Sequence, residues 1–251
     1  MSMKSSGRYE LKFFIDGEDK REVLERLEPG LVPDKHGEAG VYRITSLYYD
    51  TPALTAFHEK LDGVNPRHKF RLRYYGDQLP DSGYFEVKSR HYQLIRKLRV
   101  PVDKATFWQL VSCPARLRAL EGAKGPVPGL EFVHLQASRA PLAPTAVTSY
   151  RREAYLSRFD PTLRVTFDHL CQAFSPHQFP PGPDDEGPPL CLATHILMEV
   201  KFNHRLPGWV RDAVVGRRLR PVRFSKYCEA IFALGDHPVR RRLAAVNSRK
   251  D

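Results

Sequence analysis

No apolar run in the 251-residue sequence is long enough to cross a bilayer as a helix, which takes about eighteen or more residues. The chain is therefore expected to be soluble by itself. Cysteine is scarce: Cys113, Cys171, Cys191 and Cys228 form no C-x-x-C pair. The N-terminal stretch MSMKSSGRYE has no apolar segment of a secretory signal, so reduced thiols in a cytoplasmic protein are expected. Familiar motifs are also missing, including the phosphate loop G-x-x-x-x-G-K-[ST], the dinucleotide turn G-x-G-x-x-G, H-E-x-x-H and G-x-S-x-G. The ten His residues fall into no zinc pattern. These absences argue against ordinary nucleotide folds and zinc hydrolases. Acidic residues are in short supply, 29 against 40 Lys and Arg, for a formal net charge of +11. That surplus calls for a polyanionic partner, whether nucleic acid, an anionic membrane surface, or a phosphate-rich small molecule or polymer.

What the sequence does have is charge at every second position of strand-like segments. Arg8, Glu10 and Lys12 form one set, and Arg67, Lys69, Arg71 and Arg73 a second. Further sets are Glu86 with Lys88, Lys97 with Arg99, Arg164 with Asp168, and Glu199 with Lys201. Successive strand side chains point to opposite faces, so each set shares one face and the apolar residues between them share the other. Solvated strand faces of antiparallel sheets show the same period. An unbroken row such as Arg67 to Arg73, however, repels itself unless an anion lies over it.

Along the chain, strands are expected at about 8–16, 41–50, 67–75, 83–90, 92–102, 145–157, 163–173 and 193–203. Helices are expected at 18–28, from Thr51-Pro52 through Lys60, and at about 207–215 and 226–235. Residues 103–139 lose the alternation and read as a helical insertion. The Pro-rich stretch from Ser175 to Pro189 reads as a long loop, and 238–251 as a basic tail. The expected fold is α+β: one domain over 1–251, built on an antiparallel barrel of about eight strands with helices inserted between strands and packed outside. If the charged faces point inward, the result is a basic tunnel, which must be paired or filled by anions because buried lone cations are costly.

Arg and Lys in such a lumen suit polyphosphate, Arg as a planar fork and Lys as a compact charge. Glu10, Glu86, Asp168 and Glu199 are candidates for holding a hard divalent cation. The aromatics Tyr42, Tyr48, Tyr49, Phe224 and Tyr227 are expected to fill core, and Arg67, Lys69 and Arg99 to sit at the tunnel mouth.

The segments RYELKFFID, YRITSLYYDTP, KFRLRYYG, FEVKSR, RKLRV, YRREAY, LRVTFD, ILMEVKF and FSKYCEAI follow one another in this order over nearly the whole chain. In order and spacing they resemble the catalytic domain of vacuolar transporter chaperone (VTC) proteins, polyphosphate polymerases of the triphosphate tunnel metalloenzyme superfamily. The resemblance implies that Lys12, Arg71, Arg73, Lys88, Arg152 and Arg164 bind phosphates and that Glu199 binds the metal, with Lys201 beside it. It also implies phosphate contacts for Ser225 and Lys226, and for Lys97, where the local spacing departs from the family. Arg8 stands where the wider superfamily often has a Glu, which puts a two-metal arrangement on that strand in doubt. For Glu10 and Glu86, metal ligation and ion pairing within the lumen both stay open.

The function implied is transfer of the γ-phosphoryl group of ATP onto inorganic polyphosphate with Mg²⁺ or Mn²⁺. The alternatives are a triphosphatase acting on tripolyphosphate or nucleoside triphosphates, and a non-catalytic polyphosphate or inositol-phosphate binder. Nucleic acid is not an expected partner, since the carboxylates within the basic rows would repel its backbone. The membrane helices of eukaryotic VTC proteins are not in this sequence, which leaves open a membrane-protein partner.

Overall fold

A computed structural model describes residues 8–78, 81–123, 125 and 127–235; the basic tail at 238–251 lies outside them. The strands are β1 (Tyr9–Ile15), β2 (Leu31–Pro33), β3 (Val41–Asp50), β4 (Arg67–Tyr75), β5 (Ser82–His91), β6 (Leu94–Asp103), β7 (Ala143–Ser157), β8 (Arg164–Phe174) and β9 (Ile196–Phe202). They form one antiparallel sheet in the order β1-β9-β8-β7-β3-β4-β5-β6, with the short β2 added on β7. The sheet curls until its two edges meet, among the described residues, at one bridge. There Arg8 and Ile95 exchange two backbone hydrogen bonds, each 3.1 Å long. The expected barrel of about eight strands in an α+β fold is thus the fold observed, with β2 as the strand that the alternation does not reveal.

Outside the barrel, α1 (Gly17–Leu27) and α5 (Gly208–Gly216) cover β1, β8 and β9 through Val23, Leu27, Val210 and Ala213, against Phe13, Phe167 and Met198. Asp16 caps α1 by accepting from the Asp19 amide at 2.8 Å, a contact worth about 1 kcal/mol. The insertion supplies α3 (Lys104–Ser112) and α4 (Leu130–Arg139), which bury Phe107, Leu110 and Val133 against Leu47, Leu72, Phe85 and Val100. Gly83 on β5 allows this approach, because a Cβ there would lie 2.6 Å from the Phe107 ring.

Two helices depart from the expected outside position or start. α2 (Thr55–Leu61) begins after Thr51-Pro52, where the Thr51 hydroxyl accepts from the Thr55 amide at 3.2 Å and the Asp50 carboxylate accepts from the Ala56 and Phe57 amides at 2.9 and 3.1 Å. Asp50 also accepts from the Tyr227 hydroxyl at 2.5 Å. Tyr227 belongs to α6 (Lys226–Leu234), which packs not outside but on the concave face, against Ala146, Tyr150, Cys171, Ala173 and Leu197. The inner wall therefore has two tiers, an apolar one plugged by α6 and a charged one left open. Among the described residues, no helix is long and apolar enough to cross a membrane.

Candidate functional site

The charged tier encloses a cavity of ≈ 1460 Å³. β4 lines it from Arg67 to Tyr75, about 27 Å of strand. Of the positions expected to carry function, Lys12, Arg71, Arg73, Lys88, Lys97, Arg152, Arg164, Glu199, Lys201, Ser225 and Lys226 all line it, as does Glu10.

On the β4–β5–β6 wall one carboxylate gathers the cations. Glu86, fully buried, takes Arg71 at 2.7 Å, Lys97 at 2.5 Å, Arg99 at 3.1 Å and Arg73 at 3.8 Å. Burial alone raises its pKa, but Arg71 and Arg73 overcome that and hold it below the usual carboxylate range. Arg73 also donates to the Ser46 hydroxyl (2.9 Å) and the Tyr150 hydroxyl (3.2 Å).

The β1–β9–β8 wall has a different composition. Glu199 meets Lys201 at 2.5 Å, Lys12 and Arg152 at 3.2 Å, and Lys226 at 3.5 Å. Lys12 joins it to Glu10, also at 3.2 Å, and Glu10 reaches across the barrel seam to Lys88 at 2.9 Å. Asp168, fully buried, takes a two-point contact from Arg152 (2.6 and 2.7 Å) and Lys226 at 2.5 Å. Burial pushes Glu199 up, yet Lys201, Lys226 and Lys12 hold it well below the usual range. Lys226 moves the other way: burial lowers it, but Asp168 and Glu199 leave it well above an ordinary lysine. Arg164 lies nearer the rim, donating to Asp34 (2.5 Å) and Tyr42 (2.7 Å).

Lys69, expected at the mouth, sits inside beside α6, 2.5 Å from the Ser225 hydroxyl, and burial lowers it to about 8. Ser225 also caps α6 by accepting from the Cys228 amide. Tyr42 and Tyr48 pack as expected but also face the cavity. Burial raises the Tyr48 phenol, and Arg71 and Arg73 more than reverse this, bringing it to about 8.

Among the residues not anticipated as functional, Asp34 and Tyr150 contact the expected ones most directly. Asp34 follows β2 in a loop, where no periodicity marks it. Tyr150 lies two residues before Arg152 on the same strand face, a spacing that could have pointed to it; its ring lies under Lys226 (4.4 Å) and Arg152 (5.3 Å).

Among the described residues no group of three His, Cys, Asp or Glu side chains could hold a metal by itself. The donor set fits a hard cation of the Mg²⁺ class held by one or two carboxylates, with phosphate oxygens and water completing its shell. Glu199, with Glu10 across Lys12, would be the carboxylates on the cavity surface to hold such a cation. Glu86 is enclosed by its four cations and is not itself on the cavity surface, so here it serves as an ion-pair anchor.

An antiparallel barrel with forked and point cations converging on buried carboxylates defines a tunnel protein built for polyanions. The VTC domain matches residues 7–234, and the chain belongs to that family, a family of tunnel-fold, polyphosphate-related enzymes. Comparison with curated proteins finds no match. Among solved structures, a candidate adenylate cyclase from Bacillus halodurans is similar in fold, with a TM-score of 0.50 and 12% identity over 87% of this chain and 95% of its own. The PH1819 protein from Pyrococcus horikoshii aligns at a TM-score of 0.47 and 11% identity, over 91% of this chain and 99% of its own.

Proposed function

We propose that the tunnel is a polyphosphate polymerase that transfers the γ-phosphoryl group of ATP to the end of a polyphosphate chain. The observation that carries this reading is the extent of the basic cavity. It follows β4 from end to end, with Arg67 at one limit and Tyr75 at the other, so a polyanion longer than a single triphosphate can lie along it. Arg71, Arg73, Arg152 and Arg164 hold the donor triphosphate and neutralise charge on the transferring group. Lys88 joins these arginines on the donor, Lys12, Lys201 and Lys226 guide acceptor phosphates, and Lys97 and Ser225 add phosphate contacts. An oxygen of the terminal acceptor phosphate forms the new bond to the γ-phosphorus. The bond from that phosphorus to the β–γ bridging oxygen breaks, and ADP leaves with the electron pair. The acceptor oxygen is already anionic at neutral pH, so no side chain has to remove a proton. Glu199, with Glu10, holds Mg²⁺ or Mn²⁺, which supplies Lewis-acid charge neutralisation on the phosphates when bound.

Incubation of the purified protein with ATP and Mn²⁺, with products resolved on a gel, tests the proposal. A ladder of polyphosphate with stoichiometric ADP is expected. Orthophosphate without polymer would make the tunnel a triphosphatase and overturn it.

A further inference from the structure

The two ends of the cavity differ in chemistry. One is ringed by cations, Lys60, Arg67, Arg90 and Arg223, with the exposed ring of Tyr92 beside Arg90. The other carries Tyr75 and Tyr84 with Arg99 between the tunnel wall and solvent. The Arg99 guanidinium lies 3.6 Å from the centre of the Tyr84 ring and 5.3 Å from that of Tyr75. It is fixed by Glu86 at 3.1 Å and by the Tyr75 hydroxyl. Tyr75 is held edge-on by Tyr42 (5.9 Å, 61°) and Tyr84 (6.1 Å, 78°), and it remains 37% exposed.

Aromatic rings, and the face of a guanidinium as opposed to its N–H edge, offer nothing special to an all-phosphate ligand, whereas every nucleobase has a π-face that stacks on them. We propose that this rim is a nucleobase site, where Tyr75 and Arg99 stack the base of the donor nucleotide. The proposal rests on the reading of the tunnel as a user of nucleoside triphosphates. Spacing supports it independently of the rings. Tyr75 follows Arg73 by two residues on one strand face, about 7 Å away, and Tyr42, in contact with Tyr75, lies opposite Arg152 in the sheet register. A base on Tyr75 therefore sits about a ribose away from the arginines proposed to hold the triphosphate.

Calorimetric titration with ATP and with inorganic tripolyphosphate, in chelator to prevent turnover, tests the site. In Tyr75→Ala, ATP affinity should fall about tenfold while tripolyphosphate stays within about twofold. Tyr75→Phe, which keeps the ring but loses the hydroxyl contact to Arg99, should retain ATP binding. Equal losses of both ligands in Tyr75→Ala, an unchanged ATP affinity, or a loss in Tyr75→Phe as large as in Tyr75→Ala would each overturn the nucleobase site. A wild-type protein that binds tripolyphosphate as tightly as ATP, with no effect of Tyr75→Ala, removes this site but leaves the proposed function intact. A protein that binds neither ligand removes both.

Discussion

The two walls of the tunnel solve the same electrostatic problem with different side chains. Around Glu86 the cations are mostly arginines, Arg71, Arg73 and Arg99, with Lys97. Around Glu199 they are mostly lysines, Lys12, Lys201 and Lys226, with Arg152. A guanidinium fork is planar and pre-organised, so the Glu86 wall presents fixed donors to phosphate. An ammonium on a four-carbon stem can swing from a carboxylate to an arriving phosphate and leave that carboxylate to a cation. The contrast separates an anchoring acid from an acid suited to a metal, a distinction that residue type does not make.

Glu199→Gln should break the lysine wall's function most. Removing the charge proposed to hold the metal is expected to cost metal-dependent turnover about a hundredfold or more, while tripolyphosphate binding in chelator is kept or tightened. Parallel loss of binding and turnover would show that Glu199 only shapes the wall.

Glu86→Gln should instead appear in stability, because it leaves Arg71, Arg73, Lys97 and Arg99 facing one another without a carboxylate. Breaking such a buried set costs about 3–5 kcal/mol, which in a chain of this size lowers the thermal midpoint by roughly 10 °C. Calorimetry checks it, and tripolyphosphate, which replaces the lost negative charge, should restore much of the shift.

Arg71→Lys sharpens the contrast further by keeping the charge and removing the fork. Tripolyphosphate affinity should drop about tenfold, whereas Lys12→Arg on the opposite wall should alter it far less, as titration of the two variants would reveal.

The smallest effect belongs to pH. Lys69 titrates near 8 because burial disfavours its charge. Above that pH it is neutral in the free protein, so tripolyphosphate affinity should decline a few-fold as pH rises through 8, with proton uptake on binding. Stability of the free protein runs the other way. With the folded pKa below the unfolded one, the unfolded chain binds more protons between about pH 8 and 10.5, so stability rises with pH across that window. Lys69→Met should reduce both trends, leaving the part due to Lys201 and Tyr48, which also come to about 8.

Much of this was legible because a strand has a period of two. β4 falls at the expected 67–75, and its row of cations faces the cavity as alternation requires. The three residues of β2 are too few to show a period, and Asp34 beyond it reaches Arg164 across 130 positions of sequence. The inner seat of α6 was hidden for another reason. Leu170, with φ at 49°, interrupts β8, so Cys171 and Ala173 turn to the concave face where they meet α6. One irregular residue thus breaks the parity on which the reading of β8 depended. Alternation put Glu10, Glu86 and Glu199 on the lumen face, but not which cations each would meet, since their partners come from strands remote in sequence.

The pairing of β1 with β9 also sets the order in which the protein can be made. Lys12 faces Glu199 in the register, so the N-terminal strand waits for most of the chain to leave the ribosome before its ladder partner exists. Until then the basic rows of β4 and β6 have emerged without the acids of β8 and β9, and α6 is absent from its seat. High contact order of this kind makes folding slow. A nascent chain stopped before Ile196 has no Glu199 or Lys226, and β1 is left as an exposed edge available to other strands.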